Sequence, residues 1–161
     1  LRMSRGLGDV YKRQCLGYMQ DHEVYFFSRT FKIHTLASRF SQAKLDDLAS
    51  VGIAYFYAGA SNQLLYDLAK NHRGIILTGS GSGNYSQEWL SAIEDLTKQG
   101  IVFVRCSRVA QGIVFEDEIF DPHHCCIPGN TLTPQKARVL LMLAMTQTND
   151  KEEIRKIFNE Y

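Results

Sequence analysis

Three short stretches of this 161-residue chain hold the residue types that could do chemistry. Thr78-Gly79-Ser80-Gly81-Ser82-Gly83-Asn84 mixes glycines with hydroxyls, Glu116-Asp117-Glu118 sets three carboxylates in a row, and His123-His124-Cys125-Cys126 is a block of metal-ligand types. Glycine permits positive φ and lets a backbone approach a ligand closely. The first stretch is therefore either a tight loop capped by Asn84 or Ser86, both good N-cap types, or the lip of a ligand site. Sharper readings fail on spacing. A phosphate loop ends in Gly-Lys-Ser/Thr, but Asn84 stands where its second glycine belongs and no lysine follows. A dinucleotide fingerprint also needs glycine at position 84. A hydrolase nucleophile elbow centres a serine between two glycines, and Gly81 holds that centre here. The loop has the make-up of a substrate lip without a nucleophile.

The His-Cys block has the wrong spacing for zinc, whose ligands come with spacers, and successive residues of an extended chain point in alternating directions. A Cys-His nucleophile could draw on Cys106, Cys125, His34 or His72, but nothing in the sequence pairs them. The four cysteines, Cys15 included, form no disulfide framework. Cys106 sits in an apolar run and reads as a small buried residue.

The elements around these stretches follow from periodicity. Residues 51–57 and 74–77 and 101–104 are apolar runs of strand length. Between them, 62–70 carries Leu64, Leu65 and Leu68 at helical spacing, and 86–98 carries Trp89, Ile93 and Leu96 on one stripe before Gly100. Apolar strands alternating with helices predict an α/β fold with a parallel sheet of about four strands flanked by helices. The glycine stretch then lies at a strand's carboxyl end, where open α/β sheets bind ligands. Residues 121–130 read as a loop with two of the three prolines. Thr133-Pro134 opens a helix with a capping threonine and proline at the first turn. Residues 137–146 are almost wholly apolar, which predicts burial on more than one side. Asp150 caps a last helix with Ile154, Ile157 and Phe158 inward. Near the start, 16–19 and 23–27 flank a short polar turn and predict a β-hairpin, with Tyr25, Phe26, Phe27 and Phe31 as exposed aromatics. Residues 35–41 look extended, with Phe40 as an anchor.

Composition narrows the class. Apolar content of 45% suffices for a core, and a net charge of +1 with interspersed signs lacks the clustered basic face of a nucleic-acid binder. No apolar run reaches membrane-spanning length. Residues 1–14 have neither period and read as a disordered or non-native head. The expected organisation is that head, a hairpin and connector over 15–47, and an α/β domain over 48–161.

Particular motifs resemble one family. Residues 131–141, TLTPQKARVLL, with the closing IFNEY of 157–161, resemble the C-terminal end of bacterial type II L-asparaginases and the related glutaminase-asparaginases. Residues 104–109, VRCSRV, resemble their Val-Arg-Ser-Ser-Arg-Val, and Gly79 to Asn84 resembles their Gly-x-Gly-Asn-Gly-Asn with Ser82 for the first asparagine. YFYAGA of 55–60 fits their strand-to-helix turn, and 17–48 resembles their hairpin and connector.

The resemblance implies a small, flavodoxin-like C-terminal domain of an enzyme that hydrolyses L-asparagine to L-aspartate and ammonia without a cofactor or metal. The nucleophilic threonine and its activating set would lie in a large N-terminal domain, outside this chain. The family's active sites lie between subunits of a homotetramer, and the small domain contributes an asparagine and a glutamate that orient substrate. The asparagine maps onto Asn84. Counting back from Thr131-Leu132 puts the glutamate at Glu118, with Glu116 and Asp117 as alternatives. L-Glutamine is a second substrate for some members. Periplasmic or secreted location is implied, with the cytoplasm open. The different-class alternative is a half domain that binds a small molecule or partner without turnover. An isolated chain of this kind is expected to expose apolar surface along 139–145 and to self-associate.

Overall fold

The structure, a computed structural model, describes residues 17–20, 23–26, 32–43, 46–110 and 112–161. The chain divides into two units, 1–33 and 34–161. The first contains the expected hairpin, β1 (Gly17–Gln20) antiparallel to β2 (Glu23–Phe26). Its aromatic side chains lie outside the described residues.

The second unit is the α/β domain. In chain order it runs β3 (Val51–Tyr55), α1 (Gln63–Ala69), β4 (Gly74–Gly79), α2 (Gln87–Lys98), β5 (Val102–Ser107), β6 (Cys126–Pro128), α3 (Pro134–Ala144) and α4 (Lys151–Glu160). The four strands are all parallel, in the order β3-β4-β5-β6. Every residue of β4 and β5 is buried, which explains why these strands read as continuous apolar runs rather than alternating ones. Ile76, Val104 and Ile127 face a core shared with α3 and α4, while Ile75, Leu77 and Phe103 face one shared with α1 and α2. No helix among the described residues is long and apolar enough to cross a membrane.

Local chemistry sets the helix ends. Ser86, not Asn84, is the N-cap of α2, its hydroxyl accepting from Trp89 N at 3.4 Å. Gly100, at φ +91°, ends that helix. Thr133 and Asp150 cap α3 and α4, the latter accepting from Glu153 N at 2.9 Å.

Four expectations are corrected. Residues 35–41 are not extended: Thr35–Ala37 form a 3-10 turn and bends follow. Tyr161 causes the curl, since its hydroxyl bonds Ser38 Oγ at 2.6 Å and Arg39 N at 3.1 Å. Phe40 is the anchor expected, its ring 5.4 Å from that of Tyr161. The third apolar strand does not stop at Val104 but runs through Arg105 and Cys106 to Ser107. The stretch 121–130 is not all loop, because it contains β6, the fourth strand. Asp121 organises it: the buried carboxylate accepts from Cys125 N at 2.7 Å and Cys126 N at 2.8 Å. Pro128 is tolerated because β6 is an edge strand. Finally, α3 is buried on one face only. Ala137, Leu140, Leu141 and Ala144 pack inward, while Val139 is 54% exposed. Val139, Leu143, Leu132, Phe40 and Tyr161 line an open apolar groove there.

Candidate functional site

The glycine stretch closes on itself where β4 ends. Ser80 N donates to Asn84 O at 3.0 Å, and Asn84 N to Ser80 O at 2.8 Å. Gly81 at φ +52° and Gly83 at φ +91° make the reversal. Gly79 faces a different constraint: a Cβ there would stand 2.2 Å from Gly83 C. The loop is pinned to β5 by Arg108 N, donating to Gly79 O at 2.9 Å, and by the Ser107 hydroxyl, donating to Gly81 O. Asn84 is thereby held at the carboxyl end of the sheet. It is half-buried, and its Oδ1 has no hydrogen-bond partner among the described residues. A buried amide oxygen left unpaired costs free energy, which sets Asn84 apart from the hydrogen-bonded groups of the loop around it.

The acidic stretch follows Val114, which is buried and bridges to Asn130. Its three carboxylates have different surroundings. Glu116 pairs with Arg155. Asp117 Oδ1 accepts from Ile119 N at 2.9 Å, and Asp117 O accepts from Asp121 N at 2.9 Å, so this residue folds the turn. Glu118 is exposed and makes no hydrogen bond or ion pair among the described residues. Among the described residues no hydrogen bond joins Asn84 to Glu118, but their segments are tied together. Tyr85 donates its hydroxyl to Phe120 O at 2.8 Å, and Arg105 Nη2 donates to Phe115 O at 2.6 Å.

Tyr85 and Arg105 escaped the sequence reading as site residues. Arg105 carried a signal, being a charge inside an otherwise apolar strand. Tyr85 carried none.

The His-Cys block is scattered by β6. Cys125 and Cys126 are buried, whereas His123 is exposed with Nε2 3.7 Å from Glu94 Oε1. No group of three or more potential metal ligands occurs among the described residues. His34 and His72 bond Thr35 and Ser50 rather than a thiol. Burial pushes the Cys106 thiol up to about 12 and raises Cys126 well above its ordinary value, with the Asp121 carboxylate adding to the rise. Both thiols are therefore protonated at neutral pH, and the thiolate is the nucleophile. With Cys15 and Cys125 replaced by serine, Cys106 and Cys126 are expected to react with iodoacetamide only as fast as the chain unfolds. Rapid labelling of the native chain would contradict this.

Comparison with known proteins identifies the arrangement. The sequence profile described as "Glutaminase/Asparaginase C-terminal domain" matches residues 50–158. The chain is 38% identical over 150 residues to "L-asparaginase 2" of Escherichia coli, covering 91% of this chain and 42% of that protein. It is 38% identical over 148 residues to "Probable L-asparaginase periplasmic" of Haemophilus influenzae, again covering 91% and 42%. A crystal structure of a probable cytoplasmic L-asparaginase from Campylobacter jejuni superposes with a TM-score of 0.79 at 34% identity, covering 91% of this chain and 48% of that one. The chain thus spans about two fifths of the length of the curated relatives it matches. The glycine loop, the acidic turn and the sheet beneath them all fall within the matched span, and the chain belongs to the glutaminase/asparaginase C-terminal domain family.

Proposed function

We propose that this chain is the C-terminal part of an asparagine-hydrolysing enzyme, converting L-asparagine to L-aspartate and ammonia. Asn84 and Glu118 orient the substrate at a site completed by an N-terminal domain and a neighbouring subunit. The observation that carries the reading is the presence of two groups without partners among the described residues, the buried Oδ1 of Asn84 and the exposed carboxylate of Glu118, on segments joined to each other. An ionised glutamate binds an α-ammonium by a charge-assisted hydrogen bond. An asparagine side chain can donate and accept at once. Neither breaks a bond. The acyl transfer runs through a threonine ester formed on the N-terminal domain and released by water.

Glu118 is favoured over its neighbours because Glu116 is engaged with Arg155 and Asp117 with its own turn. We assign the homotetramer, the hairpin and connector over 15–47 and the α/β domain over 48–161 to the same reading. L-Glutamine is a second substrate to be tested, since the family's description covers both amides. The relatives' names include both a periplasmic and a cytoplasmic enzyme, so either compartment is compatible; we favour export.

The test is ammonia release from L-asparagine and L-glutamine by the purified chain, alone and joined to an N-terminal asparaginase domain. The expected result is no turnover alone and turnover once joined. Turnover by the chain alone would overturn the reading and make Ser80, Ser82 and Cys106 the first residues to replace with alanine.

A further inference from the structure

Among the described residues, no sheet pairing supports the segment on which Glu118 stands. Val114 is bridged to Asn130, and β6 begins at Cys126. Between them, the bonds inside the turn from Asp117 to Ile119 and Asp121 shape it without attaching it to the sheet. Among the described residues, residues 115–120 are tied to the rest of the domain by three polar contacts. One is the ion pair of Glu116 with Arg155, in which the Glu116 side chain is 54% exposed. The other two are the carbonyls of Phe115 and Phe120.

Those two carbonyls flank Glu118, three residues before it and two after. Their donors flank Asn84 in turn. Tyr85, which bonds Phe120 O, is the next residue in the chain. Arg105, which bonds Phe115 O, packs its stem beneath Gly83, the preceding residue: a Cβ on Gly83 would meet Arg105 Cγ at 3.0 Å and Val114 Cγ2 at 3.2 Å. We propose that Tyr85 and Arg105 are positioning residues that clamp the acidic turn to the glycine loop and so fix where Glu118 stands relative to Asn84. The inference rests on the reading of those two residues as substrate-orienting groups.

The energetics agree with a geometric role. Arg105 is 2% exposed, lies between Leu77 and Pro128 in the sheet register, and leaves Nη1 without a hydrogen-bond partner among the described residues. Burying a guanidinium with one nitrogen unpaired is costly, and an apolar side chain of similar volume would pack there at least as stably. What such a side chain could not do is hold the Phe115 carbonyl. Tyr85 is 8% exposed, and burial, reinforced by the Cys126 thiol, raises its hydroxyl well above the ordinary tyrosine value. It therefore stays protonated and donating throughout the working pH range.

Hydrogen exchange, single-variant kinetics and a double-mutant cycle test the clamp. In the 161-residue chain, Tyr85→Phe removes one donor and little volume. Hydrogen exchange at the Ile119 and Asp121 amides is expected to quicken about fivefold, the effect of one net hydrogen bond, while Val104 in the core is unchanged. Unaltered exchange in the turn would overturn the clamp. In the chain joined to an N-terminal asparaginase domain, Tyr85→Phe is expected to raise KM for L-asparagine about fivefold with kcat little changed. Arg105→Met is expected to do the same, and Arg105→Lys, which keeps a donor, to recover part of the loss.

The decisive step is a double-mutant cycle with Glu118→Gln. If Tyr85 acts through Glu118, Tyr85→Phe adds less than about twofold in the Glu118→Gln background. Equal losses in both backgrounds would make Tyr85 a general structural residue and sink the proposal while leaving Glu118 in its role. Unchanged kinetics in Glu118→Gln alone would instead remove the site reading, and with it anything for the clamp to position.

Discussion

Glu118→Gln, made in the chain joined to an N-terminal asparaginase domain, is expected to lower kcat/KM for L-asparagine by about a hundredfold and to leave the melting temperature unchanged. Hydrogen bonds to a charged group are worth roughly 1.5–3 kcal/mol net, and each 1.4 kcal/mol is tenfold, so removing the charge costs between ten- and about a hundredfold. Under the proposed shared site the upper end applies, since a neighbouring subunit would then cover the group and leave the substrate's ammonium buried against a neutral amide. Stability should not move. Glu118 is exposed and makes no bond or ion pair among the described residues, and surface substitutions of that kind fall within about 0.5 kcal/mol. The comparison variants are Glu116→Gln and Asp117→Asn. The first loosens the pair with Arg155 and the second weakens the turn's bond to Ile119, so each should touch stability slightly and turnover much less. Steady-state kinetics on all three, beside thermal melts, decides the matter. A full rate in Glu118→Gln with a loss in either neighbour would move the role to that neighbour.

Gly79→Ala is expected to have the largest effect on folding of any single methyl addition in the loop. The new Cβ would meet Gly83 C at 2.2 Å, Gly83 O at 2.4 Å and Asn84 N at 2.7 Å, all of them backbone atoms that no rotamer change can remove. Either the hairpin-like closure between Ser80 and Asn84 opens or β4 shifts. Overpacking of this kind costs about 3 kcal/mol, and each kcal/mol lowers the melting temperature of a domain this size by some 4 °C, so a fall of about 10 °C is expected. Gly81→Ala is the control. Its Cβ would meet nothing within 4 Å, and only the strain of φ +52° remains, on the order of 1 kcal/mol. A Gly79→Ala variant no less stable than Gly81→Ala would show that the loop has slack the structure denies it. Because Asn84 is displaced in the first case, turnover by the joined enzyme should fall with Gly79→Ala and not with Gly81→Ala.

Much of this protein is legible without coordinates. Strands β3, β4 and β5 announce themselves because sheets covered by helices on both faces need uninterrupted apolar runs, and 51–55, 74–77 and 102–104 supply them. Two helix starts are legible because Thr133 and Asp150 are caps whose chemistry is local, while the choice of Ser86 over Asn84 was made by the structure. The motifs at 79–84, 104–109 and 131–141 carry the family, and the matched profile over 50–158 agrees with them.

Other features depend on groups distant in sequence. Strand β6 was hidden because three residues containing a cysteine and a proline have no period of their own. They become a strand only when Asp121 captures two amides and β5 offers an edge. The turn at 35–38 is bent by Tyr161, more than a hundred residues away. One face of α3 stays open because nothing in the described unit covers Val139, a matter of layer geometry that its apolar composition could not reveal. The join between the glycine loop and the acidic turn is of the same kind. Local residue types mark Asn84 and the row of carboxylates as chemically competent. Which carboxylate is left unpaired, and that Tyr85 and Arg105 tie its segment to Asn84, was decided by tertiary structure, because hydrogen bonds to the carbonyls of Phe115 and Phe120 leave no trace in side-chain pattern.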